Sequence, residues 1–154
     1  MNIAGSVSGI LTVTLACSIA GALGFWLLSL RLRDAGIVDV LWGYGFGAIA
    51  LVTFFLAGEA DLRSHILLIG TLVWALRLGT HLWLRSLGRP EDFRYRALRA
   101  HHGEHFARRS LTRIFLFQAA IQWLLSLPLQ AALLWPGEPS LTFLDLLGIG
   151  LLGI

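Results

Sequence analysis

At 154 residues the chain has the length of one domain, but 56% hydrophobic against 14% charged residues and a mean hydropathy of +0.75 exclude an ordinary soluble fold. The twelve basic residues are all arginine and outnumber nine acids, for a net charge of +3. The resulting pI near 10.0 would suggest nucleic acid in a soluble chain; here most arginines fill one segment between apolar stretches, so membrane topology accounts for them and no nucleic-acid partner is expected. The single cysteine, Cys17, has no internal disulfide partner.

The first apolar stretch, 10–30, has no basic residue before Arg31 and is long enough to span, which distinguishes it from a cleaved signal. Three more stretches, 37–57, 66–84 and 114–135, also reach the roughly 20 residues a spanning helix needs. A fifth, 141–154, follows the breaker "WPGEPS" and runs only 14 residues, so it reads as cut off in mid-membrane. The expected fold is all-α: a single polytopic transmembrane helical bundle over 1–154, with four full spans plus a truncated fifth.

Arginine favours the cytoplasmic side of a membrane. Arg31 and Arg33 follow the first span, Arg63 stands against Glu59 and Asp61 after the second, eight arginines lie in 85–113, and "PGEPS" has none. The alternation places the N-terminus and the loops near Asp61 and Glu138 outside, with the loops at Arg31 and 85–113 in the cytoplasm. The long loop interleaves Glu91, Asp92, Phe93, Tyr95, Glu104 and Phe106 with its arginines, unlike a featureless polybasic anchor. From Pro90 it reads as a short amphipathic cytoplasmic helix along the membrane surface, with Phe93, Ala97 and Ala100 on one face.

Ionisable groups within hydrocarbon are costly and mark functional sites. Asp39, Gly43 and Gly47 recur every four residues, as do Arg77, His81 and Arg85, and Gln118, Gln122, Ser126 and Gln130. With this topology Asp39 lies roughly 3 Å inside the cytoplasmic end, His81 and Gln118 roughly 5 to 6 Å, and Arg77 and Gln122 roughly 10 to 12 Å. These groups are expected to form one polar pocket opening to the cytoplasm, with Arg77 paired to Asp39. Gly43 and Gly47 suit close helix packing more than ligand approach. Gln118 and Gln122 suit either a pocket or cross-helix hydrogen bonds, and His81 either a proton donor or a neighbour of Asp39. The segment "HHGEH" sets His101, Glu104 and His105 in a zinc-peptidase order, but a third ligand is missing and no metal site is expected.

The segments "VDVLWGYGF" (38–46), "RLGTHLWLRSLGRPEDFRYRALR" (77–99) and "SLTRIFLFQAAIQWLLSLPLQ" (110–130) together resemble the bacterial steroid 5-alpha-reductase-like family. This is an integral membrane group of poorly defined activity, related to sterol reductases and isoprenylcysteine methyltransferases. The resemblance implies an inner-membrane oxidoreductase that uses NADPH to reduce a carbon-carbon double bond of a lipid or steroid-like substrate. Family members continue for about another hundred residues, with an Arg-x-Pro-Asn-Tyr type segment at the nicotinamide. This chain is therefore expected to be the N-terminal part, inactive alone and completed by a separate C-terminal half.

The matching motifs carry Asp39, Trp42, Arg77, His81, Asp92, Arg94 and Tyr95. Asp39 and His81 are the candidates for orienting or protonating substrate, and Trp42, Arg77, Gln118 and Gln122 for lining its chamber. Asp92, Arg94, Tyr95 and Arg96 are the candidates for cofactor contact, arginine being suited to phosphate by its planar fork. Two alternatives stay open: a methyltransferase-like enzyme using S-adenosylmethionine, and a non-catalytic membrane module that binds lipid or a partner helix.

Overall fold

The computed structural model describes residues 6–58, 61–135 and 142–152, and among them every regular element is helical. The expected breaker at 136–140, the loop acids Glu59 and Glu138, and both ends of the short fifth stretch lie outside the described residues. Among the described residues three helices are long and apolar enough to cross a membrane: α1 (Val7–Leu32), α2 (Val38–Ala57, continuous with the turn Ala35–Ile37) and α3 (Leu62–Ser86). A fourth crossing results if the helical run Phe93–Leu125 and the following Leu127–Leu134 count as one span bent by 41°.

Local chemistry sets the boundaries. Ser6 caps α1 by accepting the Gly9 N–H at 3.1 Å, and Asp61 caps α3 by accepting the Ser64 N–H at 2.7 Å. Arg33 ends α1 in the left-handed region, φ 54°, and the tight turn into α2 follows, with Asp34 accepting the Gly36 N–H at 2.8 Å. Asp92 caps α4 (Phe93–His102), so that helix begins three residues after Pro90. Its Phe93, Ala97 and Ala100 face is exposed and the opposite face, carrying Tyr95, packs on the bundle.

After α5 (Phe106–Ser110), a π-helical segment, Leu111–Leu116, leads into α6 (Phe117–Leu125) and α7 (Leu127–Leu134). The bend between the last two follows from Pro128, which lacks an N–H and whose ring crowds the preceding turn. Helix α8 (Phe143–Leu152) lies within the short fifth stretch.

Gly43 and Gly47 are buried against α3. A Cβ on Gly43 would lie 2.6 Å from the Gly79 Cα, and one on Gly47 would lie 2.9 Å from the Ala75 Cβ. Two small-residue pairs four apart, one on each helix, thus bring the α2 and α3 backbones together.

The Arg31–Arg33 turn and the 85–113 segment share one end of the bundle, as the alternating arginine pattern requires. The Ala35 N–H donates to Glu91 Oε1 at 2.8 Å, and Arg99 forks onto Glu91 at 2.7 and 3.0 Å. Arg99 also lies over the Phe106 ring, 4.2 Å from its centroid, and the Trp26 indole donates to the Ala107 carbonyl at 3.0 Å. Beneath this clamp Ala35, Val38, Leu41, Tyr95, Phe106 and Phe115 form a buried core.

Candidate functional site

The turn before α2 and the last turns of α3 leave a gap that the start of α4 covers. The result is a cleft of about 300 Å³ at the arginine-rich end, lined by Asp34, Asp39, Arg85, Arg89, Asp92 and Arg94 together with Gly36, Val40, Leu82, Ser86 and Pro90. Three arginines face three aspartates, so the cleft is charge-balanced but not neutralised pair by pair. Only Asp92 and Arg94 are locked together, at 3.0 and 3.2 Å, and Asp92 also accepts the Arg94 N–H. Those bonds hold the Asp92 carboxyl below its ordinary pKa. Among the described residues Asp39, Arg85 and Arg89 have no ion pair within 4 Å.

Asp39 occupies the first turn of α2, where the helix dipole favours a carboxylate, and it is half-buried. Behind it the buried Tyr95 lies near both Asp39 and Gln118. Gln118 accepts the Trp42 indole N–H at 2.7 Å. One turn deeper on α6, Gln122 donates to the carbonyls of Leu41 and Trp42, each at 3.0 Å. The sequence-predicted set of Asp39, Trp42, Gln118, Gln122, Asp92, Arg94 and Tyr95 therefore converges on the junction of α2, α4 and α6. Arg96 is exposed and absent from the cleft lining.

Arg77 and His81 do not join them. The predicted Asp39–Arg77 pair does not form, and both Arg77 and His81 are exposed on the outer side of α3. The cause is the direction α3 faces. Its small residues Ala75 and Gly79 pack on α2, and at about 100° per residue Arg77, two positions from each, is carried to the far side. The structure adds Asp34, Arg85 and Arg89 to the cleft. Arg85, grouped by its spacing of four with Arg77 and His81, lines the cleft without them, and Asp34 and Arg89 follow only from the fold of the turn and loop.

Residues 25–154 match the family described as "Protein of unknown function (DUF1295)". The chain belongs to this family. The match takes in α2, α3 and all the groups of the cleft, so the site lies within the family's shared region. No curated protein and no solved structure matches the chain.

Glu91 is the strongest structural anchor of the loop. Burial pushes its carboxyl up, but hydrogen bonds from Arg99 and the Ala35 N–H, with the Arg99 charge, outweigh this and hold it below its ordinary value. Arg99 is thereby committed to holding the loop in place.

Proposed function

We propose that this chain is a four-span inner-membrane protein with its arginine-rich end in the cytoplasm, and that it supplies the lipid-facing and cytoplasmic-cover parts of a steroid 5-alpha-reductase-like oxidoreductase. The reaction is reduction of a carbon-carbon double bond in a lipid or steroid-like substrate, with NADPH as donor. The observation that carries the reading is Asp39: a half-buried carboxylate without an ion-pair partner, at the mouth of an arginine-lined cleft and backed by Tyr95, Gln118 and Trp42. Such a group costs stability and is retained where it acts on something else.

The fit to the cofactor is partial. Arg85 and Arg89 offer forked donors to a phosphate, whereas Arg94 is already engaged by Asp92. A volume of about 300 Å³ is at the lower end for one drug-sized ligand, too small for a whole dinucleotide phosphate. The cleft therefore suits the phosphate end, and the nicotinamide would lie outside it. When bound, the cofactor would supply hydride. In this reading Arg85 and Arg89 hold phosphate, and Asp39 positions a polar group of the substrate or serves as its proton relay. His81, on the outer side of α3, reaches substrate only from a partner-facing or lipid-facing side.

The test is NADPH titration of the purified chain, with and without the C-terminal half of a full-length family member supplied in trans. Weak binding by the chain alone, strengthened by the added half and weakened by Arg85→Ala plus Arg89→Ala, is expected. Unchanged binding in the double variant would remove the phosphate role. A second reading, a non-catalytic module that binds lipid or a partner helix, is favoured by Arg77, Thr80 and His81 standing exposed together on α3. It predicts no NADPH binding under either condition.

A further inference from the structure

The arginines in the second half of the 85–113 segment stand apart from those in the first. Arg94 and Arg99 are held by Asp92 and Glu91, and Arg85 and Arg89 face the three aspartates of the cleft. Arg108, Arg109 and Arg113 are exposed, and among the described residues none of them makes an ion pair. The one acid in 93–135 is Glu104, itself exposed and in no ion pair among the described residues. Arg109 instead has its guanidinium 3.4 Å from His102 Nδ1. His105, Arg108, Arg109 and Thr112 line an open groove of about 370 Å³ that shares no residue with the Asp39 cleft.

The height of the groove in the membrane decides what fits it. Arg113 is the last charged residue before the apolar run 114–135, so the three guanidiniums stand at the level of the lipid headgroups. Two of them line the groove itself, and their planar forks match phosphate oxygens. Beyond Arg113 the same side of the helix turns apolar. Phe117 lies four residues further on and Leu124 another seven, and they are 59% and 56% exposed. A soluble anion would fill the groove and leave this ridge bare, whereas a phospholipid covers both.

We propose that the groove binds an anionic phospholipid, its phosphate between Arg108 and Arg109 and an acyl chain along Phe117 and Leu124. A zwitterionic lipid would bring its own cation to a surface that already lacks acids. The inference needs only that the run after Arg113 enters the bilayer. Neither the reductase reaction nor the sidedness of the arginine-rich end enters it, so it stands or falls independently of that reading.

The test uses the full 154-residue chain in phosphatidylcholine vesicles, with trace phosphatidylglycerol or phosphatidylcholine spin-labelled on an acyl chain. Electron paramagnetic resonance reads the fraction of each label immobilised by the protein. A preference of about fivefold for phosphatidylglycerol is expected, the gain that one arginine gives at an anionic headgroup. Arg108→Gln plus Arg109→Gln should bring the two lipids to parity. Arg31→Gln plus Arg96→Gln removes the same charge from exposed positions at the same end and should leave the preference within about twofold of wild type. No preference in the wild-type chain would overturn the proposal, as would equal losses in the two double variants, which would mean attraction by net charge alone. Displacement of the labelled lipid by inorganic phosphate at constant ionic strength would assign the groove to a soluble anion and overturn it as well.

Discussion

The bundle holds two polar clusters, and they differ in completeness. Away from the arginine-rich end, Trp123 donates to Thr14 Oγ1 at 3.0 Å, Thr14 to Gln130 Oε1 at 2.8 Å, and Gln130 Nε2 to Ser126 Oγ at 2.8 Å, while Ser126 Oγ donates to the Trp123 carbonyl. Thr53, which donates to the Ile49 carbonyl at 2.8 Å, lies 3.5 Å from Gln130 Oε1. Gln130, Thr14, Thr53 and Ser126 are fully buried, and every member has a partner. At the arginine-rich end the amides come from the same helical face, yet among the described residues Gln122 Oε1 is orphaned and Asp39 has no ion pair. A closed network stabilises and specifies packing, whereas an open one at comparable cost signals interaction with something outside the chain.

Replacing the centre of the closed network should have the largest effect. Gln130→Leu removes the bonds that link Thr14 Oγ1 to Ser126 Oγ across the buried centre and should lower stability by about 1–3 kcal/mol, while Gln122→Leu should cost under about 1 kcal/mol. Unfolding in mixed detergent measures both, and equal losses would erase the distinction between the clusters.

The loop clamp comes next. Glu91→Gln should cost about 1 kcal/mol and speed proteolysis within 85–113. Because the folded-state pKa of Glu91 lies below its ordinary value of 4.5, its contribution is fully present above that value and is lost as pH falls through the lower, folded one. Wild-type protein should therefore show an acid-dependent rise in loop cleavage that Glu91→Gln lacks; parallel pH profiles would exclude the clamp.

The smallest effect sharpens the position of Arg77. Since Arg77 points away from Asp39, the double variant Asp39→Asn plus Arg77→Leu should equal the sum of the single changes within about 0.5 kcal/mol. A larger coupling would restore the pair that the sequence suggests.

What was legible follows from what periodicity encodes. Apolar length located α1, α2 and α3, and arginine bias put the Arg31 turn and the long loop at one end. Spacing of four grouped Gln118 with Gln122 and Gly43 with Gly47 correctly. It could not say which way a face points: α3 carries a small-residue stripe, Ala75 and Gly79, and a polar stripe, Arg77 and His81, on opposite sides, and close backbone packing selected the first for α2. The bend at Pro128 lay hidden within an otherwise uniform apolar run, and the Glu91–Arg99 clamp within a charge-rich loop, where many pairings share the same composition.

The central claim, that the cluster at Asp39 is a site and the one at Gln130 is packing, is tested most directly by thermal unfolding of Asp39→Leu and Gln130→Leu side by side in one detergent. Removing a half-buried carboxylate that no ion pair compensates should leave the midpoint unchanged or raise it, whereas removing Gln130 should lower it. A fall of similar size in both would mean that Asp39 is structural and contradict the account.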